Sequence, residues 1–217
     1  MDSMLMERVA RITASVFFLF LLIATAHSVG SIVVGPQSIL SGVALFAKLC
    51  VILFYAMIVW FTLTRDRPLA QAAGWQPRVT ALLGSFLFMA SLVWLKKPEL
   101  GLASHLTSAA FLATGTALML ALLPRLGKSF SIMAEARALV TSGPYAIVRH
   151  PLYAAELVAT LGLLIQFFSW PAVAVVIVQL VFQIQRMRNE EAVLLRAFPI
   201  DYARYMTRTR RLVPGVW

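Results

Sequence analysis

The stretch "SGPYAIVRHPLYAAE", Ser142 to Glu156, interrupts a chain that is otherwise mostly apolar. Gly143-Pro144 marks a turn. Arg149 and His150 then stand directly against Pro151, at the mouth of the apolar run Leu157 to Phe168. Proline is preorganised to open a helix, and cations favour the cytoplasmic edge of a membrane helix. The stretch therefore reads as a turn that feeds a helix into a membrane. Taken singly, Arg149-His150-Pro151 needs no further explanation, and Tyr153 alone would be an interfacial aromatic anchor. Glu156 is costlier, because a charge at the bilayer midplane costs at least about 2.5 kcal/mol. It lies one turn in from Pro151, close enough to reach the interface.

Working outward, the 217 residues are 60% hydrophobic and only 13% charged, against about 45–50% apolar in soluble domains. Six apolar stretches are expected to span, at roughly 12–34, 39–63, 79–95, 102–123, 152–168 and 171–186. The third, fifth and sixth are short for a hydrocarbon core that takes about 20 helical residues. No run alternates with the period of a barrel strand. The expected fold is all-α: a polytopic membrane bundle of about six transmembrane helices, followed by a cytoplasmic C-terminal helix. Arg8 and Arg11 before the run Val16 to Ile23, with Ala24-Thr25-Ala26 after it, mimic a signal peptide. The segment is read instead as a first transmembrane helix.

The net charge of +10 suggests nucleic acid until the charges are placed. Sixteen of the nineteen Lys and Arg fall in four segments: the N-terminus, the 64–78 loop, the 124–151 loop and the tail from Arg186. Lys96 and Lys97 lie on the other side, and Lys48 within a helix. This asymmetry puts both termini in the cytoplasm and makes the partner a membrane, with anionic lipid a possible contact, rather than nucleic acid. Cys50 is the only cysteine, so neither a disulfide framework nor a cysteine metal site is expected. His27 and His105 are isolated and show no metal-ligand spacing.

The chain, read as one membrane domain over 1–217, changes character near Pro124. Residues 1–123 hold four helices with little chemistry; residues 124–217 hold a long loop, a helical hairpin turned by "FFSWP" (Phe167 to Pro171), and a polar tail. A structureless loop of this length tends to be functional. In the tail, Arg186 and Glu190 stand at i,i+4, the spacing of a surface ion pair on one helix face. The alternative is that the Glu190-Glu191 pair points inward to a polar ligand. "FPIDYARY" (Phe198 to Tyr205) is expected to form an interfacial helix with aromatic anchors.

The order of these features resembles a family. "LVTSGPYAIVRHPLY", an apolar hairpin, "RNEEAVLLRAFPIDYARY" and a basic "RTRRLVP" together resemble the isoprenylcysteine carboxyl methyltransferase and phospholipid methyltransferase superfamily. Its members are integral membrane enzymes that use S-adenosylmethionine. The likeness runs from roughly Leu126 to Pro214. It implies that the cofactor is held by the loop residues Arg137, Ala138, Leu139 and Val140 with Tyr145. It further implies contacts from the turn His150, Pro151, Leu152 and Tyr153, and from Glu190. Arg186 is implied to orient the substrate, a lipid or lipid-modified molecule entering from the bilayer. Two departures stand out. Ala155 and Glu156 replace the glycine common after the motif's tyrosine, and "FPIDY" replaces the usual FGxxY.

The chemistry of the assigned residues agrees with that implication. S-adenosylmethionine needs donors for its carboxylate and an acceptor for its ammonium or hydroxyls. His150 with loop N–H groups fits the first need and Glu190 the second. Two other readings are weighed: an NADPH-dependent reductase of sterol or isoprenoid double bonds, which shares similar C-terminal motifs, and a non-catalytic membrane scaffold. The clustering of polar residues at one interface, without repeats, argues against a transporter with a midplane site.

Overall fold

The computed structural model describes residues 3–36 and 38–215. It is helical. The helices are α1 (Ser3–Val34), α2 (Ile39–Thr64), α3 (Gln76–Ser91), α4 (Leu102–Leu126), α5 (Pro151–Gln166), α6 (Trp170–Ala197) and α7 (Pro199–Arg208). Four of them, α1, α2, α4 and α6, contain segments long and apolar enough to cross a membrane. The apolar side chains that α1 and α2 turn outward, among them Val16, Phe20, Leu53 and Trp60, are exposed, as helices facing lipid require.

The expected third and fifth spans are shorter than the others. At 16 residues each, α3 and α5 extend about 24 Å, less than the roughly 30 Å of a hydrocarbon core. The sixth element is longer than its apolar run: α6 continues without a break past Arg186 to Ala197. Helix α4 likewise passes through Pro124 and ends only at Gly127, whose φ of +49° suits glycine. The long loop after it is not structureless. Glu135 and Ala136 (β2) pair antiparallel with Gln71 and Ala70 (β1), and 3₁₀ turns cover Gly127–Ser129 and Gly143–Ala146.

Helix packing decides where a site can form. The chief pairs are α1 with α2, α2 with α4, α4 with α5, and α3 with α6. The expected hairpin α5–α6 is a hairpin in connectivity, but its two helices touch only sparingly. Each is held instead by a different partner, α5 by α4 and α6 by α3.

Small residues explain the α4–α5 pair. A Cβ on Gly115 would lie 2.8 Å from the carbonyl oxygen of Ala155 and from the Cα of Ala159. A Cβ on Gly162 would meet Leu112 N and Ser108 O, each at 2.8 Å, and Ser108 Oγ donates to Gly162 O at 2.8 Å. This is the close backbone approach that small residues permit between membrane helices. Ala155, a departure from the family's pattern, is 1% exposed and fits this contact. Gly84 on α3 plays the same part against Gln183 of α6. Lys48 also finds its place: its Nζ donates to Ser28 Oγ at 2.5 Å and Ser28 O at 3.2 Å, tying α2 to α1.

Gly115→Leu is expected to destabilise the bundle by about 2 kcal/mol or more, since backbone rather than a mobile side chain fills the space. Gly30→Leu, with open space around its Cβ, serves as the control and should leave the thermal midpoint in detergent nearly unchanged.

Candidate active site

The loop after α4, the N-terminal turn of α5, the second half of α6 and helix α7 converge on one cleft. Its walls include Phe130, Glu135, Leu139, Val140, Tyr145, Arg149, His150, Leu152, Tyr153, Arg186, Glu190, Leu194, Tyr202 and Tyr205. Of the residues singled out from sequence, Ala138, Leu139, Val140, Tyr145, His150, Leu152, Tyr153, Glu190 and Arg186 all line it. Two do not. Pro151 is the buried first residue of α5. Arg137 holds the fold with two of its nitrogens, Nε donating to Asp66 O at 2.6 Å and Nη2 to Glu135 Oε2 at 2.6 Å, while its buried Nη1 has no partner among the described residues. It thus fastens the loop to the α2–α3 connection beside the β1–β2 pair.

At the centre lies a stack. The His150 ring lies parallel to the Tyr153 ring at 5.3 Å, and the Arg186 guanidinium carbon lies 4.5 Å from the centroid of the same Tyr153 ring. The Tyr153 hydroxyl donates to Glu190 Oε1, and Arg186 Nε lies 3.3 Å from that oxygen. The i,i+4 pair of Arg186 and Glu190 exists, but not on the surface: Arg186 is 4% exposed. Arg186 Nη1 also donates to Ser85 Oγ of α3 at 2.7 Å and lies 3.9 Å from Glu156 Oε2. Glu156 further accepts from Gln183 Nε2 at 2.9 Å.

Glu191, the second member of the glutamate pair, has a separate task. Its buried carboxylate accepts from Arg149 Nε at 2.7 Å and Arg211 Nε at 2.9 Å, and lies 3.4 Å from His150 Nε2. The backbone follows the same path. Arg149 N donates to Arg210 O at 2.7 Å and His150 N to Arg211 O at 2.9 Å. Arg149 Nη1 reaches Thr209 O at 2.5 Å. The chain after α7 is thereby strapped beneath the His150 turn. Sequence reading left Glu191, Arg149 and Arg211 without roles. Their partners lie between 20 and 60 positions away, and only the fold joins them.

The aromatic residues of helix α7 turn inward. Tyr202 and Tyr205 are buried against the cleft rather than anchored in an interface, and Tyr205 Oη donates to Tyr145 O at 2.5 Å. Pro199 starts α7 immediately after α6 ends, which folds it back onto the site. Its outer face carries Ile200, Arg204 and Arg208.

Burial first, then the charge of Glu190, raises the Tyr145 phenol well above its ordinary value. Burial and then Glu191 raise that of Tyr202. Tyr205, pushed up to about 12 chiefly by burial, behaves alike. All three therefore remain neutral O–H groups at physiological pH. The hydroxyls of Tyr145 and Tyr202, two residues of the cleft wall, are buried and have no partner among the described residues. A buried donor without a partner costs about 1–3 kcal/mol, so the cleft is built to meet acceptors.

With this geometry in place the comparisons are informative. Residues 108–196 match the isoprenylcysteine carboxyl methyltransferase (ICMT) family. The matched segment opens at Ser108, the α4 residue that contacts Gly162, and closes at Arg196 near the end of α6, so it takes in the loop, the His150 turn and both glutamates. The strap at Thr209–Arg211 lies beyond it. The chain is also 39% identical over 77 residues to the cobalt-zinc-cadmium resistance protein CzcN of Cupriavidus metallidurans. That alignment covers 35% of this chain, and the chain spans about a third (35%) of the relative's length.

Glu191→Ala is expected to destabilise the protein by about 3–5 kcal/mol, because it strands buried cations. Arg211→Ala, whose side chain is 25% exposed, should cost about 1 kcal/mol or less. Thermal unfolding of the two variants in detergent makes the comparison.

Proposed function

We propose that the cleft binds S-adenosylmethionine and that the protein transfers its methyl group to an amphiphile arriving from the bilayer, at the cytoplasmic face. The observation that carries this reading is Glu190. Both of its contacts are made through Oε1, leaving Oε2 as a free acceptor in the cleft, while the unpartnered Tyr145 hydroxyl supplies a donor nearby. A zwitterionic ligand with hydroxyls needs both kinds of group. Leu139, Val140 and Leu152 offer an apolar wall for a base.

When bound, the cofactor's sulfonium supplies an electrophilic methyl group. The chain's part is alignment and dryness. The stack of His150, Tyr153 and Arg186 holds Glu190 in one orientation, and the tyrosines of α7 exclude water from the back of the cleft. Holding reactants in register is itself a large share of catalysis, and none of these residues has to form a covalent bond. The cytoplasmic assignment is supported by the sixteen cations gathered on the side of the loop and tail. With Leu92–Leu95 extending α3 and Phe167-Phe168 extending α5, both short helices read as spans, giving six.

Calorimetric titration of the purified protein with S-adenosylhomocysteine tests the reading. The wild type is expected to bind. Glu190→Ala should weaken binding about a hundredfold, as loss of a charged partner does. Tyr145→Phe should weaken it about tenfold while leaving stability equal or higher, since its buried hydroxyl makes no hydrogen bond among the described residues. Wild-type affinity in Glu190→Ala would return Glu190 to a purely structural ion pair.

A further inference from the structure

We infer, resting on the methyl-transfer reading, that the acceptor presents an amine rather than a carboxylate to the cleft, and that Glu156 selects it. The family resemblance implies that Arg186 orients the substrate, and a guanidinium free to do so would favour an acidic one. The structure surrounds that guanidinium instead. Its Nη1 is taken by Ser85, one edge faces Glu190 and another faces Glu156. One cation stands between two carboxylates, so a carboxylate acceptor would be the third anion at a single arginine.

The balance of donors and acceptors points the same way. Glu156 makes both its contacts through Oε2, so Oε1 has no donor among the described residues. Its side chain keeps 24% of its exposure. Glu190 likewise keeps Oε2 free. Gln183, 8% exposed, gives its amide N–H to Glu156, and its own Oε1, on the Gly84 side, is buried without a donor. Two carboxylate oxygens between α5 and α6 thus lack donors among the described residues, as does Gln183 Oε1 on the α3 side; the one orphan donor beside them, Arg186 Nε, already lies 3.3 Å from Glu190 Oε1. An ammonium, all donor and positively charged, complements them; a carboxylate does not.

Position agrees as well. Glu156 lies five residues into α5, about 7 Å deeper than Pro151 along the helix. That is on the hydrocarbon side of the His150 turn, where α5 and α6 diverge and an amphiphile's headgroup would arrive. Glu156 then has a chemical task. Its carboxylate takes one N–H proton from the ammonium, leaving the nitrogen lone pair free. That pair forms the new N–C bond to the sulfonium methyl as the S–C bond breaks, with its electrons remaining on sulfur. Glu156 ends protonated and the product nitrogen carries the positive charge.

The test titrates the full chain in maltoside micelles with dodecylamine and with dodecanoate at neutral pH, in the presence and absence of S-adenosylhomocysteine. Wild type is expected to bind the amine at least about tenfold more tightly. Glu156→Gln should abolish that preference while its S-adenosylhomocysteine affinity stays close to wild type, which also shows that the variant is folded. Glu156→Asp should retain part of the preference. Equal or tighter binding of dodecanoate by wild type overturns the proposal, as does an undiminished amine preference in Glu156→Gln. Absence of S-adenosylhomocysteine binding with an intact amine preference would instead sink the cofactor reading alone.

Discussion

The site depends on one buried carboxylate. Glu191 meets Arg149, His150 and Arg211, and so gathers three segments remote in sequence: the turn that opens α5, the middle of the polar half of α6, and the strap after α7. Burying such charges is expensive. Here the cost is offset by a carboxylate whose two oxygens are both engaged and by backbone hydrogen bonds from Arg149 and His150 to the strap. With that turn fixed, His150 can stack on Tyr153, Tyr153 can hold Glu190, and the cleft has a defined wall. The two adjacent glutamates thus divide the work: Glu191 builds the site and Glu190 faces into it.

The membrane architecture supplies the second constraint. Glycines at 115 and 162 bind α5 tightly to α4, and Gly84 brings α6 against α3. Neither helix of the hairpin is then free to pack along the other. Where the polar residues of α5 and α6 meet, Arg186, Glu156, Gln183 and Ser85 contact one another within otherwise apolar surroundings, and Gln183 Oε1 and Arg186 Nε stay without partners among the described residues.

Much of this was legible in sequence, for physical reasons. Long apolar runs with cations at one set of ends can only be membrane helices, so α2 and the start of α4 were foreseeable nearly to the residue, whereas α1 begins at Ser3, ahead of its apolar run. The residues that line the cleft came from the family resemblance carried by the His150 turn and the Glu190 segment. What escaped depends on side-chain partners far apart in the chain. Arg137 reads, through the resemblance, as a cofactor contact, and its bonds to Asp66 and Glu135 appear only once the fold places them beside it. Arg149 seemed a boundary cation, and its role appears only when Arg210 and Glu191 reach it. Tyr202 and Tyr205 were assigned to an interface because an amphipathic pattern does not say which face meets the protein. The pattern could not reveal that Pro199 turns α7 back onto the cleft.

The central claim is that this cleft, shared by the loop, α5, α6 and the strap, is where a methyl group passes to a membrane amphiphile. The most direct measurement incubates the purified protein in bilayers of total lipid extract with methyl-labelled S-adenosylmethionine and follows label into the organic phase. The account predicts labelled lipid-soluble product from wild type and none from Glu190→Ala. Label that stays in the aqueous phase with wild type, under conditions where S-adenosylhomocysteine binds, would contradict it.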